Sequence, residues 1–157
     1  VILPHNRTIR LFRILEAVKL LQHFLPDSQK LRLEHWHFKD SEPHLWAVFT
    51  STQTRAECPA CRQSSQRVHS RYQRTLEDLS MAQCRLTLQV KVRKFFCLNP
   101  TCLRRIFTER LPAVAAPWAR KTLRLVLQLQ QFGLALGGAA GSTLVKQLGY
   151  VVSGSSL

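Results

Sequence analysis

Four of the five cysteines fall in two close pairs, Cys58-Pro59-Ala60-Cys61 and Cys97-Leu98-Asn99-Pro100-Thr101-Cys102. Such short gaps bring both sulfurs of a pair within reach of one small ion. The residues between the pairs, 62–96, are enough for a β-hairpin that folds one pair back onto the other. Four thiolates gathered in this way make a tetrahedral Zn2+ site, with Zn–S about 2.3 Å. A site closed on Cys58, Cys61, Cys97 and Cys102 has no open coordination position, so its role is structural. Reduced thiols without metal are the alternative. Cys84 lies apart from both pairs and reads as a small buried apolar residue.

Little else in the chain points to chemistry. No acidic residue follows Glu109, and the earlier carboxylates are scattered. No nucleophile elbow is present, and Gly137-Gly138-Ala139-Ala140-Gly141 lacks the Lys-Ser or Lys-Thr that a phosphate-cradling loop requires. No catalytic residue is assigned. His35 and His37 have no further ligand nearby and read as surface or packing residues. His69 is placed between the cysteine pairs with no assigned role.

Charge points to a partner. The chain has 157 residues, with 23 Lys+Arg against 9 Asp+Glu and a net charge of +14. An excess of this size favours a polyanion, nucleic acid before membrane. Apolar content of 45% is enough for a core. No run approaches the ~18 apolar residues that span a bilayer, and no signal-peptide pattern opens the chain. An odd cysteine count in that setting argues against a disulfide framework. The expected location is the cytoplasm.

The elements that must position the cysteines read as α+β. Residues 8–25 form an amphipathic helix by spacing, within an N-terminal extension of residues 1–27. Residues 31–38 and 45–55 read as strands, followed by a pair at 66–74 and 85–96, with Leu76-Glu77-Asp78-Leu79-Ser80 as the turn between that pair. In 85–96, Leu86, Leu88, Val90 and Val92 alternate with Arg85, Thr87, Gln89, Lys91 and Arg93, the pattern of a half-buried strand with a basic open face. These strands make a zinc-ribbon-like β module over 28–112.

From Trp118 the pattern turns helical, within a segment of residues 113–157. Leu123, Leu127 and Leu134 with Val126 and Leu129 give one apolar stripe, broken at Gly137-Gly138. A second helix runs over 139–148, with Leu144 and Leu148 on its packing side and Tyr150 on the turn. A third is expected to start at the N-cap Ser153. That spacing is helix-turn-helix-like, and the third helix would enter the major groove. It stops after about one turn, so the motif is incomplete. The residues expected on DNA are Arg67, Arg71, Arg93, Lys94, Arg104, Arg105, Arg110, Arg120, Lys121, Arg124 and Ser153, the basic ones as phosphate contacts that give affinity and little sequence choice.

Cys58-Pro59-Ala60-Cys61, Arg67-Val68-His69-Ser70-Arg71-Tyr72 and Leu76-Glu77-Asp78-Leu79, with the run from Cys97 to Pro112, resemble the N-terminal region of bacterial insertion-sequence transposases of the ISL-three family. Gly137-Gly138-Ala139-Ala140-Gly141 is similar as well. The resemblance covers roughly residues 30–157. It implies a zinc-binding domain and a helix-turn-helix that recognise the element's terminal inverted repeats. It also implies a large RNase-H-like catalytic domain, which this sequence does not contain, so a truncated transposase without enzymatic activity is expected. The partners it implies are double-stranded DNA at transposon ends, and other copies or full-length transposase. A transposase completed from a second reading frame, and a zinc-stabilised interaction or RNA-binding module, are the alternatives. Two positions depart from the family: Arg62 stands where glycine is frequent and Ser80 where proline is frequent.

Overall fold

Leu86, Leu88, Val90 and Val92 alternate because they line one face of a long central strand, and all four are buried. The computed structural model describes residues 27, 29–39, 42–81 and 84–150. Their elements are β1 (Leu31–Phe38), β2 (His44–Ser51), β3 (Ala56–Glu57), β4 (Ser64–Ser65), β5 (Val68–Met81), β6 (Cys84–Phe96), β7 (Ile106–Thr108), α1 (Leu123–Leu136) and α2 (Gly138–Gln147). The class is α+β, mostly sheet. The helix expected over 8–25 and the one expected from Ser153 lie outside the described residues.

The main sheet runs β1-β2-β6-β5, with β7 also on β6, while β3 and β4 pair with each other. β1–β2 and β5–β6 are antiparallel. β2 and β6 are parallel, with Leu45 opposite Leu86 and Phe49 opposite Val90. β6 takes β2 along Arg85–Lys91 and then β7 along Lys94–Phe96. A carboxylate closes the junction. Glu109 accepts from the Arg93 amide at 2.6 Å, the Ser51 hydroxyl at 2.8 Å and the Arg93 guanidinium at 3.3 Å. The face expected to be open and basic is therefore partly closed: Thr87 is buried, and Arg93 is half-buried against Glu109.

The core lies on the opposite face. Leu31, Leu33, Ala47, Phe49, Leu76, Leu88 and Val90 are covered by Leu111, Val114 and Ala115 from the irregular chain after β7.

Residues 76–80 are not a turn. They continue β5, which runs to Met81, with Leu76 opposite Leu88 and Asp78 opposite Leu86. The polar composition reflects a partner, because Asp78 is a fully buried anchor for the first helix. Its Oδ1 accepts from the Thr122 hydroxyl at 2.6 Å and from Arg124 Nε at 2.8 Å, and its Oδ2 accepts from Arg124 Nη2. Thr122 is in turn the N-cap, accepting from the Leu125 amide at 3.3 Å, so α1 starts at Leu123 and not at Trp118. Just before it, the Glu77 amide donates to the Arg120 carbonyl at 2.8 Å and the Thr122 amide to the Glu77 carbonyl at 2.9 Å, which covers the β5 edge.

Of the expected stripe, Leu129 is buried in the packing face of the helix pair, while its other leucines turn outward. Leu125, Leu129, Val145 and Tyr150 form the buried cluster, with Leu79 and Phe132 beside it. Leu123, Leu127 and Leu134 are exposed, as is Leu148. The capping threonine fixed to Asp78 sets the rotation of α1, and that rotation turns 125/129/132 inward. Gly137, at φ 75°, lets the chain break between the helices. Gly141 allows their approach: a methyl there would meet the Phe132 carbonyl oxygen at 3.2 Å. Ser80 also finds its reason here, since its amide donates to the Tyr150 hydroxyl at 2.6 Å. A proline has no such donor.

Removing the carboxylate that holds Thr122 and Arg124 leaves a partly buried charge and a loosened cap. Asp78→Ala is expected to destabilise the fold by about 3 kcal/mol or more in urea unfolding; a change below about 1 kcal/mol would contradict the anchoring role.

Candidate metal centre and basic surface

Two separate knuckles carry the thiols. The first is the β3–β4 hairpin, whose loop holds Cys58 and Cys61; the Cys58 amide donates to the Gln63 carbonyl at 2.9 Å and the Arg62 amide to the Cys58 carbonyl at 2.8 Å. The tight turn puts Arg62 at φ 62°. This left-handed conformation is one that glycine adopts without strain and an L side chain does not. The second knuckle leaves the end of β6. The Cys97 amide donates to the Arg105 carbonyl at 2.8 Å, and the Asn99 side chain accepts from the Thr101 amide at 3.0 Å and hydroxyl at 2.7 Å. That Asx turn curls residues 97–102 back so that Cys102 faces Cys97.

The four sulfurs of Cys58, Cys61, Cys97 and Cys102 lie within 4.8 Å of one another. Cys58–Cys102 measures 3.9 Å and Cys61–Cys97 3.5 Å. A zinc ion with bonds of about 2.3 Å spaces tetrahedral thiolates about 3.8 Å apart. Donor chemistry and spacing both fit, and the four cysteines form a Zn2+ site. Ala56, Phe95 and Phe107 pack around it, the two rings stacked with centroids 6.0 Å apart. Cys84 starts β6, and Cys97 follows that strand's far end; at strand rise the two are roughly 40 Å apart.

Without a cation the cluster is electrostatically divided. Burial raises the Cys58 thiol, but the Cys61 and Ala60 amides and the Cys97 and Cys61 side chains outweigh it and bring the pKa down to about 7. At Cys97 the Asn99 amide favours the thiolate, yet burial and the neighbouring Cys61, Cys58 and Cys102 push the pKa up to about 12. Cys102 is likewise raised: the Arg104 amide lowers it, and burial and the Cys61 side chain overcome that. The Cys58 thiolate forms readily, whereas Cys97 and Cys102 resist ionisation. A divalent ion removes that conflict by holding all four ionised.

The cations expected on DNA sit in different surroundings. Arg93 is tied to buried Glu109, Arg124 to buried Asp78, and Lys121 to Glu77 at 3.6 Å. These are the contacts that sequence alone did not reveal. The signal was available, because Glu77, Asp78 and Glu109 are the carboxylates that stand among the basic residues from Arg62 to Arg124. Arg67, Arg71, Arg104, Arg105, Arg110 and Arg120 are exposed. The Arg67 guanidinium lies 4.9 Å from the Phe96 ring centroid, Lys94 lies 5.3 Å from that of Tyr72, and Arg105 donates to the Pro100 carbonyl at 3.2 Å. Ser153 lies outside the described residues. His69 meets Phe96 edge-on and His37 stacks on Trp46. Among the described residues, no helix is long and apolar enough to cross a membrane.

Residues 54–102 match the family described as the zinc-finger of transposase IS204/IS1001/IS1096/IS1165. The matched stretch contains both cysteine pairs and the β5–β6 hairpin between them. No curated protein and no solved structure matches the chain.

Protein purified without chelator is expected to hold one zinc per chain, and affinity should fall steeply on acidification because every ligand must lose a proton. Cys97→Ser should abolish tight zinc binding and unfold the ribbon, while Cys84→Ser leaves both intact; equal damage from the two would mean that the ligands are misassigned. Arg62→Gly relieves the left-handed strain and should leave zinc binding unchanged, with stability equal or higher by up to about 1 kcal/mol. Loss of the ribbon in that variant would show that the arginine side chain, and not the backbone, is needed there.

Proposed function

We propose that this chain, whose residues 54–102 are an ISL-three-type transposase zinc finger, is a DNA-binding part of a transposase that holds the element's terminal inverted repeats. The observation that carries the reading is the position of the metal centre. It fixes two knuckles at the end of a hairpin whose flanks present Arg67, Arg71, Arg104 and Arg105 to solvent. Backbone contacts from such cations give affinity and register on a duplex, while base-edge contacts choose the sequence. Sequence choice would fall to the helical segment and to whatever follows it. The chain would contribute binding and no cutting or joining step, since all four thiolates are committed to one ion and the buried carboxylates hold the fold together. Association with other copies or with full-length transposase at the element ends belongs to the same reading, as does a cytoplasmic location.

Fluorescence anisotropy with a duplex carrying an element end and a scrambled duplex, at several salt concentrations, tests this. Binding should weaken linearly on a log–log plot, with a slope of about −0.9 per phosphate contacted. The double variant Arg104→Glu/Arg105→Glu should lose about tenfold or more at ~100 mM salt and flatten the slope by about 2, with zinc content unchanged. Salt-independent binding, or none to either duplex, would rule the function out.

A further inference from the structure

A strained and solvent-exposed tryptophan stands beside a cationic groove that the metal centre does not use. Ala116-Pro117-Trp118-Ala119 forms a turn in which the Ala119 amide donates to the Ala116 carbonyl at 3.3 Å. Pro117 occupies its second position and Trp118 its third, at φ 64°. Turns of this kind take glycine or asparagine at the third position, because an L side chain is strained there. Here the position holds the bulkiest side chain, and Trp118 is 93% exposed. The turn is held in place: Arg74 donates to the carbonyls of Ala116 at 3.2 Å and Ala119 at 3.0 Å. A strained residue with no packing role, held out by its surroundings, is the kind of outlier that points to a ligand.

The groove beside it has a volume of about 410 Å³ and runs between the β5–β6–β7 end of the sheet and this turn. Its walls include Tyr72, Arg74, Lys94, Arg104, Arg110 and Trp118. The carboxylate among its lining residues, Glu109, is fully buried and paired with Arg93, so the charge presented is positive. Tyr72 is 37% exposed, with Lys94 over its ring. Cations that track a backbone, interleaved with exposed aromatic rings, are what an unpaired nucleic-acid strand requires: phosphates meet the cations and bases stack on the rings. An intact duplex offers the indole no base face.

We infer that this groove binds an unpaired DNA strand, with Lys94, Arg104 and Arg110 on its phosphates and a base stacked on Trp118. The inference rests on the DNA-binding function proposed above and adds a second binding mode to it. It assigns this chain a place for the strand exposed at a frayed or nicked element end, with Arg104 at the border between the duplex contacts and the groove.

Binding of a single strand, a blunt duplex and a duplex with an unpaired tail, by wild type, Trp118→Ala, Trp118→Phe and Trp118→Gly, tests it. Trp118→Ala should weaken the single strand and the tailed duplex about fivefold or more and the blunt duplex less than twofold. Trp118→Phe should recover most of the loss. Trp118→Gly should lose binding as Trp118→Ala does while melting no lower than wild type, which separates the ring's role from that of the fold. Unchanged single-strand affinity in Trp118→Ala overturns the stacking site and leaves the duplex-binding function standing. An equal loss on blunt duplex also overturns it, since the ring would then be a duplex wedge. Tighter binding of an RNA strand of the same sequence overturns the assignment to DNA. Failure of wild type to bind any of the three DNAs removes both this inference and the function on which it rests.

Discussion

Repulsion among four converging thiolates is the constraint on which the rest depends. The sulfurs of Cys58, Cys61, Cys97 and Cys102 come within 4.8 Å of each other, and four negative charges that close repel unless a cation sits among them. The strands that bring them together are too slight to impose this alone, since β3 and β4 have 2 residues each. A divalent ion turns the repulsion into attraction and fixes both knuckles at once. Once fixed, the end of β6 is held, and through β6 so are the neighbours that pair with it on both edges.

Buried carboxylates play the matching part at the rest of the sheet. In a chain with a net charge of +14, an acidic residue has many possible partners, and the fold uses two of them deep inside. Glu109 joins β2, β6 and the chain after β7; Asp78 joins β5 to the start of α1. Each is fully buried and accepts several hydrogen bonds, the arrangement a buried charge requires. The arginines that complete these networks are structural, and this divides the basic residues into those that hold the protein together and those turned outward.

The sequence made legible whatever depended on local pattern. The two cysteine pairs defined the metal site, and the alternation from Leu86 to Val92 defined the central strand and its buried face. The β1–β2 hairpin followed from short apolar runs separated by turn residues. What failed was decided by distant partners. Leu76–Ser80 has turn-like composition, yet it is strand because Asp78 meets Thr122 and Arg124, 44 and 46 residues away. Of the leucine stripe of α1, Leu129 packs but Leu123, Leu127 and Leu134 do not, because the start fixed on Asp78 turns Leu125 and Phe132 inward beside it. Neither the parallel pairing of β2 with β6 nor the cover formed by Leu111, Val114 and Ala115 leaves a periodic trace. Of the two departures from the resembled pattern, Ser80 is explained by an amide given to Tyr150, while Arg62 sits in a left-handed turn that glycine would adopt with less strain.

The parallel pairing of β2 and β6 has a kinetic side. These adjacent strands are joined by a long excursion that contains the first knuckle, β3, β4 and all of β5. Closing such a loop must precede the contacts that reward it, and topologies of this kind nucleate slowly. The ion bridges the first knuckle, within that excursion, to the second, at the end of β6. Bound early, it would shorten the segment left to search and speed the assembly of the whole sheet. In this chain the metal's supply can therefore set how fast the protein matures as well as whether it stays folded.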